Sequence, residues 1–193
     1  MLECFAYWKE TPSGGVRWGT LITAGGDPTI VGNAVLKNPG SAEPAPSLFR
    51  REDGRMNFTV DATMHALADL FLLRSGTIRL FNLLDIRAVN PDDALRQLDA
   101  GVSEASLEDV AMELTEGPHV PTYLGWGELW RHPKLEAKAR TIFDIVLQDT
   151  PSLESVMADN PFFHPLFLMR YGTSRPKCSE QVSRFRNILG SNL

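Results

Sequence analysis

One buried strand with a polar end constrains the fold of this chain more than any other feature. The run Thr77-Ile-Arg-Leu-Phe-Asn82-Leu-Leu-Asp85-Ile-Arg87 is mostly apolar and delivers an amide, a carboxylate and a guanidinium to its far end. Strands that are covered on both faces of an α/β sheet have this pattern, and ligand sites lie beyond their carboxyl ends. We therefore predict a site built around Asn82.

Three further strand-like segments end in the same way, in a turn or a loop. They are 33–37 before Asn38-Pro39-Gly40-Ser41, 120–124 before Gly125-Trp126-Gly127, and a weaker segment, 153–157, that leads toward His164-Pro165. If these strands are parallel, their loops share one edge of the sheet.

Helical patterns alternate with these strands. Asp61 is placed to cap a helix that buries Met64 and Leu67, and Asn90-Pro91 begins another. Apolar stripes at 135–146 and 182–189 predict two more, the last one behind Ser179. The alternation predicts a single α/β domain over residues 1–193, a three-layer α/β/α sandwich with a mainly parallel four-stranded central sheet. Residues 1–32 are expected to add an antiparallel strand and turn at an edge.

Composition narrows the setting. The net charge of −5 argues against a general nucleic-acid binder, and Cys4 and Cys178 are too few for a disulfide framework. With no run of eighteen apolar residues, a cytoplasmic protein without a membrane partner is expected. Five cations between Arg170 and Arg186 form either a phosphate-binding edge or an ordinary solvated helix.

Motifs of several enzyme classes are missing from the sequence. No strand is followed by a phosphate-binding Gly-x-x-x-x-Gly-Lys or a dinucleotide-binding Gly-x-Gly-x-x-Gly, and Ser41 lacks a nucleophile elbow. The four histidines lack metal-ligand spacing, so neither a metal nor a cofactor is expected. His164 lies among aromatic and aliphatic residues and is either a hydrogen-bonded core histidine or part of the site.

The order of these motifs resembles the uracil-DNA glycosylase superfamily. Its members have an Asn-Pro-Gly-type loop that activates water, a strand ending in a base-reading Asn, a Leu-Trp-Gly strand end and a His-Pro-Ser loop. The matching segments here are Asn38-Pro39-Gly40, Leu80 to Leu84, Gly125-Trp126-Gly127 and His164-Pro165-Leu166. Leu166 departs from that pattern, and nothing matches the wedge that enters the minor groove.

The sequence also resembles a bacterial and phage family of unknown function. That family has Leu-Asn-Pro-Ser-Thr-Ala, then Asp-Pro-Thr before a helix, then Asn-Leu-Phe-Ala-Tyr-Arg-Ala-Thr-Asp-Pro, a Trp-Gly strand and Pro-Arg-His-Pro-Leu-Tyr-Leu. The similar segments here are 37–42, Asp61-Ala62-Thr63, 82–91, Gly125-Trp126-Gly127 and 162–168. The family opens with an Arg-Tyr that resembles Arg17-Trp18. The similarity extends over about residues 16–170.

These resemblances imply a uracil-DNA glycosylase-like fold and an N-glycosylase-type hydrolase. Asn38 would hold the attacking water, Asn82 would pair with the edge of a base, and His164 would donate a hydrogen bond to a base carbonyl. Asp85 would assist as the nearest carboxylate. The other implied substrate contacts are Pro39, Gly40, Ser41, Arg87 and Trp126.

Two alternatives stay open. In the first, the same pocket binds a nucleobase, a nucleotide or a single-stranded nucleic-acid end without cleaving it, within a phage-defence or nucleotide-modification system. Arg87 and the basic C-terminal edge would then hold phosphate. In the second, the chain is a structural or interaction module on an inherited fold.

Overall fold

The central sheet has a parallel half and an antiparallel half. The computed structural model describes residues 1–11, 15–40, 42–45, 50–87, 91–99, 107–127, 133–149, 164–171 and 176–191. Its strands are β1 (Leu2–Lys9), β2 (Val16–Ala24), β3 (Ile30–Leu36), β4 (Met56–Phe58), β5 (Gly76–Asn82) and β6 (Thr122–Leu124). Its helices are α1 (Ala62–Leu70), α2 (Pro91–Asp99), α3 (Leu107–Glu116), α4 (Pro133–Asp149), α5 (Pro165–Tyr171) and α6 (Pro176–Ser191). The strand order is β4-β1-β2-β5-β3-β6.

The parallel half consists of β5, β3 and β6. Both outer strands pair in parallel with β3, so that Leu80, Ala34 and Tyr123 lie side by side. Strands are observed at the predicted positions 34–36, 78–83 and 122–124, but β3 and β5 begin earlier than predicted, at Ile30 and Gly76. The carboxyl ends of all three strands therefore lie at the same edge of the sheet.

The mixed α/β class is confirmed, but the described residues form a six-stranded sheet where four mainly parallel strands were predicted. Three strand pairs, β4–β1, β1–β2 and β2–β5, are antiparallel. Antiparallel strands can be joined by a short turn and need no crossover helix. A prediction that counts strands by their alternation with helices therefore misses β1 and β4.

The N-terminal addition is antiparallel, as predicted, but β2 is not an edge strand. It pairs with β1 on one side and with β5 on the other, where Thr20 is opposite Leu80. β4 then pairs with the far side of β1. β1 and β2 are thus an integral part of the sheet.

Two hydrophobic cores use alternate residues of the same strands. Ala34 and Leu36 belong to one core with Met64 and Phe185, while Val35 belongs to the other. Side chains of α1, α5 and α6 pack in the first core, and those of α2, α3 and α4, with Ile188 of α6, pack in the second. This is the burial expected of strands that are covered on both faces.

The predicted helices are observed where the structure describes the chain. Asp61 is the N-cap of α1, with its Oδ1 accepting a hydrogen bond from the Met64 amide at 2.9 Å. α6 begins at Pro176, three residues before the predicted start at Ser179. The predicted strand at 153–157 and the predicted cap Asn90 lie outside the described residues.

None of the helices described is both long enough and apolar enough to cross a lipid bilayer.

Candidate functional site

A cavity of about 310 Å³ lies at the carboxyl edge of the parallel strands. Its lining comes from the loop after β3, the end of β5, the loop after β6, the start of α1 and the residue before α5. β3 and β6 are neighbours in the sheet, yet α1 and α4, the helices that follow them, pack in different hydrophobic cores. Ligand sites of α/β proteins form at such a switch point.

Six of the nine predicted site residues line this cavity. They are Asn38, Pro39, Gly40, Asn82, Trp126 and His164. Gly40 has a φ of +69° with open space where a Cβ would lie, so this turn of the loop favours glycine. Trp126 is only 3% exposed and belongs to the second core, which makes it a rigid part of the wall.

Two of the other predicted residues, Asp85 and Arg87, are placed elsewhere. Asp85 lines a different cavity, and its backbone carbonyl accepts a hydrogen bond from the Arg17 amide at 2.8 Å. Arg87 is not among the cavity-lining residues, because its guanidinium binds the Ala42 carbonyl (3.2 Å) and the Glu43 carboxylate (2.7 Å). Ser41 lies outside the described residues.

Arg184 and Arg186 of the basic C-terminal segment also lie away from the cavity lining. Arg184 pairs with Glu180 on the same helix, and Arg186 donates a hydrogen bond to the Asp69 carbonyl at 3.1 Å.

Asn82 ends β5 and projects a polar group into the cavity. It is opposite Leu36 in the parallel pairing, which places it beside the start of the Asn38 loop. Its side-chain oxygen is buried and has no hydrogen-bond partner among the described residues. Since a buried, unsatisfied carbonyl costs free energy, this oxygen is a site at which a ligand N–H can bind.

His164 is half-buried at the start of α5. Its backbone carbonyl accepts hydrogen bonds from the amides of Phe167 (2.9 Å) and Leu168 (3.1 Å), which fixes its position. Burial lowers the pKa of His164 below its ordinary value, while Asp61 opposes and Lys37 reinforces this effect. The imidazole is therefore neutral at pH 7, with one ring nitrogen as donor and the other as acceptor.

Asp61 is a functional candidate: the sequence predicts a helix cap here and a match to a family motif, but it assigns the carboxylate no chemical role. One carboxylate oxygen caps α1, and the residue also lines the cavity together with Asn38 and His164. A carboxylate in this position can accept a proton from water. Asp61 is more than twenty residues from both Asn38 and Asn82 in the sequence, and it lies at the cavity because the start of α1, which it caps, lines that cavity.

Arg17 is the second candidate that the sequence reasoning did not place in the site. Its side chain is 1% exposed, with Nη2 donating to the Pro39 carbonyl at 2.5 Å and the guanidinium carbon 5.4 Å from the centre of the Phe58 ring. Burial lowers its pKa, an effect that Asp61 opposes and Arg87 reinforces. Because β2 runs antiparallel to β5, the first residues of β2 lie beside the carboxyl end of β5.

A second cavity of about 290 Å³ shares Arg17, Leu80 and Asn82 with the first. The rest of its lining includes aromatic and acidic side chains, namely Tyr7, Trp18, Phe81, Asp85, Asp109 and Glu113. The rings of Tyr7 and Trp18 are 5.7 Å apart, centre to centre.

Neither cavity resembles a metal centre. The part of the chain that the structure describes contains no group of three or more His, Cys, Asp or Glu side chains that could hold a metal ion.

Comparisons with known proteins identify no relative. No family model, no curated protein and no solved structure matches this chain. The chemistry of the site therefore rests on its own residues.

Proposed function

We propose that the cavity at the carboxyl edge of the sheet binds a nucleobase that is part of a nucleotide-sized molecule. The observation that carries this proposal is the buried Asn82 side-chain oxygen, which has no partner among the described residues. An amide side chain offers a donor and an acceptor side by side, and base edges present complementary pairs of the same groups. Asn82 is thus suited to read the edge of a base.

The neighbouring side chains support this assignment. A neutral His164 can donate a hydrogen bond to a base carbonyl without the cost of burying an imidazolium charge. The cavity volume of about 310 Å³ lies at the small end of the roughly 300–1,000 Å³ found for small-molecule sites. A volume of that size fits one nucleotide better than a longer strand.

The resemblance to the uracil-DNA glycosylase superfamily is a second line of support. Asn38-Pro39-Gly40, Asn82 and His164 are distant in sequence, yet all of them line one cavity. The two cores on opposite sides of the sheet are compatible with the three-layer α/β/α arrangement that the resemblance implies. These observations favour a base-binding site over an interaction module.

Hydrolysis of the N-glycosidic bond is the second part of the proposal, and Asp61 is the residue that favours it. Asn38 orients a water molecule. The oxygen of this water bonds to C1′ of the sugar while one of its protons passes to the Asp61 carboxylate. The bond between C1′ and the base nitrogen breaks, and its electron pair leaves with the base. His164 stabilises the negative charge that develops on the base carbonyl.

Calorimetric titration tests the binding proposal. We expect one or more free bases, nucleosides or nucleotides to bind, and Asn82→Ala to weaken that binding by about 1–3 kcal/mol. Asn187→Ala, on the exposed face of α6, is the matched control and should bind as the wild type does. If nothing in the panel binds at millimolar concentration, the interaction-module alternative is favoured.

Chromatographic detection of released base tests the hydrolysis proposal. Substrates are nucleoside monophosphates and single-stranded and duplex oligonucleotides that contain uracil or hypoxanthine. Asp61→Asn should slow base release by about 10²- to 10⁴-fold, the usual contribution of a general base. Equal rates for wild type and variant would show that Asp61 is not the general base. If no substrate releases its base, only the binding proposal stands.

A further inference from the structure

Arg17 carries a buried charge that forms no salt bridge within the described part of the protein, although Asp61 favours the charged form electrostatically. Its Nε and Nη1 are buried without a hydrogen-bond partner, and only Nη2 has an acceptor, the Pro39 carbonyl. Arg55 provides a contrast within the same sheet region. Its Nε donates to the Gly19 carbonyl at 2.8 Å, its Nη1 pairs with Asp53 at 2.8 Å, and its guanidinium stacks on the Tyr7 ring.

Such a guanidinium is expensive to bury. A desolvated charge needs a counter-charge or a full set of hydrogen bonds, and breaking such a set is strongly destabilising. Arg17 stays protonated under all ordinary conditions, so it cannot avoid the cost by losing a proton. The unoccupied donors of Arg17 therefore need an acceptor from beyond the described residues, and a ligand in the adjoining cavity can supply one.

The charges around the cavity favour an anion on this side. Among the described residues that line it, Arg17 and Lys37 are cationic and Asp61 is the one carboxylate. The second cavity, which also reaches Arg17, is lined by the carboxylates of Asp85, Asp109 and Glu113. An anion would be repelled there, and so it reaches Arg17 from the first cavity.

We infer that Arg17 binds the phosphate group of a nucleoside monophosphate whose base is held by Asn82. This inference rests on the proposed function and specifies its ligand as a mononucleotide. The guanidinium offers N–H donors in a planar fork that matches phosphate oxygens, and charge-assisted bonds of this kind are stronger than neutral ones. Arg17 and Asn82 lie on neighbouring strands at the same edge, so one small ligand can reach both.

The test compares each common nucleoside with its 5′-monophosphate by calorimetric titration. The wild type should bind the monophosphate roughly 10- to 100-fold more tightly than the nucleoside, as expected for hydrogen bonds to a charged group. Arg17→Met should reduce this ratio to about one while retaining the affinity for the nucleoside. Arg55→Met, another arginine that stacks on an aromatic ring and donates to a backbone carbonyl, should keep the wild-type ratio.

A measurement on the wild type avoids dependence on whether Arg17→Met folds. Inorganic phosphate should compete with binding of the monophosphate and leave binding of the nucleoside unchanged. Equal wild-type affinities for nucleoside and monophosphate would overturn the inference while the proposed base site stands. If no nucleoside or nucleotide binds, yet millimolar phosphate raises the melting temperature of the wild type and not of Arg17→Met, the base site fails and the anion site stands.

Discussion

Replacing Asp61 separates the structural role of this carboxylate from its chemical one. Its Oδ1 caps α1 through the Met64 amide, and the same side chain lines the cavity. Asp61→Asn keeps the capping oxygen and removes the charge, whereas Asp61→Ala removes both. Both variants lose the charge, so the difference between their unfolding free energies measures the contribution of the capping hydrogen bond.

The size of that difference follows from helix capping. Exchanging Asn for Ala at an N-cap costs about 1 kcal/mol of unfolding free energy, within a range of roughly 0.5–2. For a chain of 193 residues this lowers the melting temperature of Asp61→Ala by about 2–4 °C relative to Asp61→Asn. With a urea dependence of roughly 2–3 kcal/mol per molar, the midpoint shifts by about 0.3–0.5 M.

Urea unfolding followed by circular dichroism measures the stability difference, and base release from a bound substrate measures the chemistry. We expect the two variants to differ in midpoint and to lose hydrolysis to the same extent. Equal midpoints would show that the hydrogen bond from Met64 does not stabilise the helix. Hydrolysis retained by Asp61→Ala would refute the role of Asp61 as the general base.

Three further predictions concern a histidine, a glycine and a cysteine. Because the folded-state pKa of His164 lies below its ordinary 6.5, the unfolded chain binds the proton first. In urea titrations at different pH, the unfolding free energy of the wild type should therefore fall more than that of His164→Asn as the pH drops below about 6.5. If both unfolding free energies fall equally with pH, the ring of His164 is not buried. Gly32→Ala would push a methyl group into the Phe71 ring and should cost about 1–3 kcal/mol in the same unfolding assay, whereas Gly190→Ala meets no atom within 4 Å and should be neutral or slightly stabilising. Burial raises the pKa of Cys4 to about 12. In a Cys178→Ser variant, which leaves Cys4 as the one thiol of the sequence, native protein at pH 8 should therefore react slowly with Ellman's reagent, and fast reaction before denaturation would contradict this.

Much of the parallel half could be predicted from local sequence. β3, β5 and β6 are apolar segments followed by turns, and these signals lie within a few residues of each strand. The cap at Asp61 is also a local pattern. Because parallel strands share an edge, predicting the strands was enough to place Asn38, Asn82 and Trp126 on one side of the sheet.

The antiparallel half could not be predicted in the same way. β1 pairs with β2 within a hairpin, and β4 pairs with β1 across about fifty residues of sequence. The partner of a strand that is distant in sequence depends on the tertiary packing of the whole sheet, and no short sequence pattern encodes it. Arg87 was misplaced for a related reason, since its partners Ala42 and Glu43 are more than forty residues away.

Arg17 reaches the cavity because of an irregularity in β2 that only the folded pairing reveals. Phe5 is opposite Leu21 and Tyr7 is opposite Trp18, so β2 contains one more residue than β1 between these pairs. Gly19, with a φ of +55°, lies in this bulge, where a Cβ would come within 2.8 Å of the Tyr7 ring.

Strand residues alternate between faces, and one extra residue reverses the alternation. Without the bulge, Arg17 would point to the face opposite Ile22 and away from the Phe58 ring that it contacts. The bulge turns it to the side of Leu80, where the loop after β3 supplies the Pro39 carbonyl. The bulge thereby determines the face from which a positive charge is presented to the cavity, and with it the polarity of the ligand that the cavity can accept.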